Sequence, residues 1–127
     1  MNHTEHVLLF NLNPQDRLAG YTDLLSRLGI AWTVIDPSLC ENTLGSLLGL
    51  SGYPAPEQVS SDPLPGEMLI LSGFSDLRLD TLLKSIRKAC LQPVALKAVV
   101  TQTNVNWPLK TLYGHLLLEH MQMTGRS

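Results

Sequence analysis

Short, wholly apolar runs alternate along this chain with longer amphipathic stretches. Val7-Leu8-Leu9-Phe10 is apolar at every position and stops at Asn11, the pattern of a strand buried on both faces. Asn13-Pro14-Gln15-Asp16 then supplies a cap, a proline at the first helical position and an acid in the first turn. The helix it opens carries Leu18, Tyr21, Leu25 and Leu28 at spacings of three and four and stops at Gly29. Residues 30–35 read as a second strand, and Asp36-Pro37 opens a second helix reaching about residue 50. Residues 51–66 hold Pro54, Pro56, Pro63 and Pro65 and read as a loop.

The same order then returns. Residues 67–72 form a third strand, and Ser75 caps a third helix whose stripe is Leu79, Leu82, Leu83, Ile86 and Cys90. Residues 94–100 form a fourth strand and 108–123 a fourth helix. Laid on itself, the chain places residues 7–10 over 68–71, Arg17-Leu18 over Arg78-Leu79, and Leu44-Gly45-Ser46-Leu47-Leu48 over Tyr113-Gly114-His115-Leu116-Leu117. A glycine inside both second helices is unfavourable without a close-packing reason. We therefore expect a single domain, 1–127, with two pseudo-repeats at 6–50 and 67–123 joined by the proline-rich loop 51–66.

The first and third strands are apolar on both faces, whereas Thr33 and Lys97 interrupt the second and fourth, so the former should be central and the latter edges. Strands alternating with helices predict an α/β three-layer sandwich around a four-stranded parallel sheet of order 2-1-3-4. A ferredoxin-like α+β sheet with extra helices is the alternative, with the same central strands.

The run Glu67-Met68-Leu69-Ile70-Leu71-Ser72-Gly73-Phe74-Ser75-Asp76 belongs to a longer pattern: Leu79-Asp80, Leu82-Leu83, Pro93-Val94, Leu96-Lys97-Ala98-Val99-Val100-Thr101, Thr103-Asn104, Asn106-Trp107 and Glu119-His120. Over residues 67–121 this resembles the bacterial family called domain of unknown function 3783. That family has no assigned activity, so the resemblance implies none.

Composition narrows the function classes. Charged residues are only 16% of the chain and apolar residues 44%, with a mean hydropathy of +0.09. Such a chain buries a large fraction of itself or has a partner over part of its apolar surface. Leu47, Leu48, Leu50 and Tyr53 in one half, and Leu116, Leu117, Leu118, Met121 and Met123 in the other, exceed what one inward stripe uses. A net charge of −2 with dispersed cations offers no footprint for nucleic acid. The N-terminal residues lack the pattern of a signal peptide, and no apolar run has membrane-spanning length. We expect a soluble cytoplasmic protein that pairs with itself or with another protein, with Cys40 and Cys90 as buried reduced thiols.

No GxGxxG, phosphate loop, GxSxG or metal cluster is present, so no catalytic or metal-binding residue is assigned and no cofactor is implied. Were the sheet parallel, Asn11, Ser72, Thr101, Thr103, Asn104 and Asn106 would share its carboxyl edge with the helix N-termini, a place suited to a small anionic ligand. An enzyme or cofactor binder acting on an anionic metabolite there is the alternative to a non-enzymatic interaction or ligand-sensing module. Asn13, Asp36 and Ser75 read as plain caps. Lys97 offers a ligand cation or, more commonly, a guard against edge pairing. His115, Glu119 and His120 have no metal-site spacing, and His3 and His6 fall in an expected frayed terminus. Lys84, Arg87 and Lys88 match the C-terminal end of their helix dipole.

Overall fold

The structure, a computed structural model, describes residues 5–12, 15–58 and 64–124, with side chains as far as 121. His3, the expected cap Asn13-Pro14, Pro63 and the Met123 side chain fall outside them. In chain order the elements are β1 (His6–Phe10), α1 (Gln15–Arg27), β2 (Ala31–Ile35), α2 (Leu44–Leu47), β3 (Met68–Ser72), α3 (Asp76–Lys88), β4 (Leu96–Val99) and α4 (Leu109–Thr124). Single 3-10 turns lie at Pro37–Leu39 and Asn104–Asn106.

The four strands form one open sheet of order β2-β1-β3-β4, the order that the apolar pattern predicts. Its directions differ from the expectation. β1 runs parallel to β2 and β3 parallel to β4, but β1 and β3 meet antiparallel, His6 opposite Ser72 and Phe10 opposite Met68. The wholly parallel sheet is thereby corrected to a mixed one, because β3 begins beside the carboxyl end of β1, Met68 opposite Phe10.

The helix expected from Pro37 to about residue 50 is broken. Asp36 does cap the segment, accepting from the Ser38 amide at 2.8 Å, but only a 3-10 turn follows. Asn42 then turns away to bond the loop, donating to Glu57 O at 2.8 Å and accepting from its amide at 3.0 Å. Thr43 starts afresh by capping Ser46. What remains is one turn, a rise of about 6 Å. At its start the Leu44 amide donates to Trp107 O in the segment after β4, and by Leu64 the chain is again at the carboxyl end of β1. There Asn11, in the left-handed region at φ 64, donates to Leu64 O and Gly66 O at 3.0 and 3.1 Å and fixes where β3 begins. Asparagine is among the few residues that adopt this conformation readily.

Alternate residues of the central strands feed two cores. Val7, Leu9, Leu69 and Leu71 pack under α1 and α3 with Tyr21, Leu25, Leu82 and Ile86. Leu8, Phe10, Met68 and Ile70 pack on the other face with Cys40 and Leu44, and with Leu109, Leu112 and Tyr113 of α4. Each such side chain contributes about 1.5–3 kcal/mol on burial, and each core draws on both halves of the chain.

Two further expectations are corrected. His6 is not frayed: it is the first residue of β1, and its Nε2 lies 2.7 Å from Thr33 Oγ1. Cys40 is buried as expected, but Cys90 is exposed, because α3 stops at Lys88 and the chain turns left-handed there. Among the described residues no helix is long and apolar enough to cross a membrane.

Candidate functional site

Because β1 and β3 are antiparallel, the carboxyl ends of β1 and β2 lie at one end of the sheet and those of β3 and β4 at the other. Asn11 is therefore separated from the other expected ligand residues. Ser72 ends β3 beside the start of β1, and Thr101, Thr103 and Asn104 follow β4 at the same end.

The segment after β4 is a closed turn. Thr101 Oγ1 accepts the amides of Thr103 and Asn104 at 3.2 and 3.1 Å. Asn104 answers with Oδ1 on the Thr101 amide at 2.8 Å and Nδ2 on Val99 O at 3.1 Å. Four polar contacts within four residues replace the ladder that ended at Val99, as Asx and hydroxyl turns do. Asn106 accepts the Tyr53 hydroxyl at 2.6 Å. The Tyr53 ring lies so close to Gly45 that a Cβ there would sit 2.5 Å from it, which supplies the close-packing reason for that glycine. Gly114 has no such reason, since a Cβ there would meet nothing within 4 Å. Trp107 is half-buried and stacks on His115 with ring centres 4.6 Å apart. Ser75 caps α3 as expected, accepting the Arg78 amide at 3.2 Å.

Lys97 projects between two adjoining apolar clefts of about 180 and 140 Å³ beside α3, both also lined by Leu83. Its Nζ donates to Val94 O at 2.7 Å, so the ammonium is anchored to its own strand's approach. Among the described residues no three His, Cys, Asp or Glu side chains converge as metal ligands do.

The strongest electrostatic features are two arginine clamps for which sequence patterns offered only a hint, the superposition of Arg17 on Arg78. Arg17, on α1, makes a paired contact with the Glu67 carboxylate just before β3, Nη2 to Oε2 being 2.6 Å, and donates to Pro93 O at 3.0 Å in the loop after α3. Arg78, on α3, does the reverse. It grips Glu5 just before β1 at 2.8 and 2.9 Å and donates to Leu28 O at 3.1 Å in the turn after α1. Each clamp ties one half's helix to the other half's central strand. The hydrogen bond to Glu67 raises the Arg17 pKa against the opposing effect of burial, and burial raises that of the Tyr21 hydroxyl, which donates to Gln92 O at 2.6 Å. Burial lowers the His6 pKa, and the Ser38 amide lowers that of Asp36.

A second reciprocal set joins the segments before α2 and α4. The Leu44 amide donates to Trp107 O at 3.0 Å and the Leu109 amide to Asn42 O at 2.9 Å, flanking a bridge between Thr43 and Pro108. Leu44 and Leu109 are the first residues of α2 and α4, and Gly45 is the second residue of its helix while Gly114 is the sixth.

No curated protein and no solved structure matches the chain. Residues 67–123 match the family described as Domain of unknown function (DUF3783), and that segment runs from the Glu67 of the first clamp through β3, α3, β4 and nearly all of α4. Over that C-terminal segment, therefore, the chain is similar to the DUF3783 family.

Proposed function

We propose that this protein is a non-enzymatic interaction module that associates with itself, working in the bacterial cytoplasm. One observation carries the reading: four of the six polar side chains expected at the site are engaged by the chain itself, while large apolar side chains stay at the surface. Asn11, Thr101, Asn104 and Asn106 all hold backbone or side-chain partners. Leu77, Leu118 and Met121 are 75%, 57% and 59% exposed. Leu118 and Met121 lie three apart on α4, and exposed apolar surface of this kind marks interfaces. Neither cysteine takes part in a disulfide, in keeping with a reducing compartment.

On this reading the chain is one three-layer domain made of two copies of a βαβα unit, 6–50 and 67–123. The reciprocal arginine clamps and the reciprocal bonds at Leu44 and Leu109 support it, since each contact recurs with the halves exchanged. Sedimentation of the full chain is the test. A dimer at ~100 µM is expected, and a monomer would overturn self-association.

A small enzyme or cofactor binder acting on an anionic metabolite is the second reading, favoured by Ser72, Thr101, Thr103 and Asn104 sharing one end of the sheet with Thr101 and Thr103 exposed. A rise in melting temperature with a phosphate or carboxylate metabolite, lost in Thr101→Ala, would support it.

A further inference from the structure

We infer that the groove between α3 and β4 binds a small amphipathic monocarboxylate, its head between Arg87 and Lys97 and its acyl tail over Leu83, Leu79 and Val99. The site is separate from the turn at Thr101 and does not depend on self-association.

The groove exists because the sheet is wider than its cover. On this face α1 and α3 pack over β1 and β3. Lys97 and Val99 of the outer strand lie opposite Leu69 and Leu71 and so share the same face, where Val99 is left 41% exposed. Two adjoining clefts of about 180 and 140 Å³ follow the gap, the first beside Ile86, Arg87 and Val94 and the second along Leu79, Leu83 and Val99. Together they reach the lower end of the roughly 300–1,000 Å³ that small-molecule sites occupy. From Leu79 to Arg87 the helix rises about 12 Å, the length of a medium-chain acyl group.

Charge decides the occupant. Arg87 lines the first cleft alone, Lys97 lines both, and no Asp or Glu lines either. Arg17, Arg78, Lys84 and Lys110 each hold a carboxylate of the chain, whereas among the described residues Arg87 and Lys97 hold none. Lys97 Nζ uses one donor on Val94 O at 2.7 Å, and an ammonium has three. Two cations at one end of an apolar groove match one carboxylate with an apolar tail. A neutral ligand of the same shape would cover both cations and pair neither, which is unfavourable. A second anionic group would lie against leucines.

Equilibrium dialysis of the full chain against radiolabelled octanoate tests this, with far-UV circular dichroism of each variant as the check on folding. One octanoate should bind per chain. Acetate, octanol and octyltrimethylammonium, which lack the tail, the charge or its sign, should each compete at least ~tenfold more weakly than unlabelled octanoate. Lys97→Met, which keeps an apolar stem, and Arg87→Met should each weaken octanoate ~tenfold or more with the spectrum unchanged. Val99→Glu, which sets an acid beside the tail, should weaken it as well. Lys84→Met, whose lysine lines neither cleft, should bind as wild type does. Absence of binding by wild type, or competition by octanol or octyltrimethylammonium equal to that of octanoate, would overturn the inference. Binding unchanged in Lys97→Met and Arg87→Met, or lost equally in Lys84→Met, would overturn it too.

Discussion

Cys90 occupies at the end of α3 the place that Gly29 occupies at the end of α1. Both are left-handed, at φ 57 and 74, and each is followed by an amide that reaches back to the last turn: Leu91 to Ile86 O at 3.2 Å and Ile30 to Leu25 O at 2.9 Å. Glycine takes this conformation freely and a residue with a Cβ does not. Cys90→Gly should therefore stabilise the fold by about 1 kcal/mol and Gly29→Ala destabilise it by about the same, read from paired urea melts. The sequence marked the first stop with a glycine but hid the second behind a residue that fits an apolar stripe, which is why Cys90 reads as buried and is not. His6 supports a second prediction. Burial lowers its pKa below the usual 6.5, so the folded state favours the neutral ring. Stability linked to His6 should be present above that usual value and be lost as pH falls through the lower folded one. Melts between about pH 7.5 and pH 5 should show wild type losing more stability than His6→Gln, and equal losses would remove His6 as the source.

Between elements, side chains that look unremarkable in sequence decide how the pieces meet. Strand positions were legible because continuous apolar runs have one sensible use, and helices α1 and α3, of thirteen residues each, were legible from their caps and stripes. The second helix was not, because Asn42 and Thr43 look like tolerable helix residues until their side chains bond the neighbouring loop and restart the helix. The clamps lay beyond reach for a different reason: Arg17 and Glu67 become neighbours only once β1 and β3 are set antiparallel. The Arg17 side chain is only 9% exposed and holds a carboxylate and a carbonyl at once. Arg17→Met should cost about 2–3 kcal/mol by leaving these acceptors without their donor. In a double-mutant cycle with Glu67→Gln, the two losses should sum to more than the loss in the double variant. Strict additivity would mean that the pair carries no coupling.

At the scale of the whole molecule, strand order could be read and strand direction could not, and direction is what moved Asn11 away from Thr101. Apolar pattern reports how deeply a strand is buried, which fixes its place in the sheet, but a strand reads the same in either direction. Here direction was set where β3 begins, beside the Asn11 anchor at the carboxyl end of β1. The antiparallel seam also joins the halves more closely than a linker could, since each core takes side chains from both. Unfolding should accordingly be a single cooperative event. The two tryptophans allow a direct check, for Trp32 lies on β2, bonded to Ser26 Oγ at 3.1 Å, and Trp107 lies just before α4. In Trp107→Phe the remaining fluorescence reports the first half, and in Trp32→Phe the second. Within each variant the fluorescence midpoint in urea should coincide with the midpoint of far-UV circular dichroism, which follows helices of both halves. If Trp32 emission changed at lower urea than the dichroism, the first half would be opening while α3 and α4 stayed folded. Cores that each draw on both halves, tied by two reciprocal clamps, leave no room for that order of events.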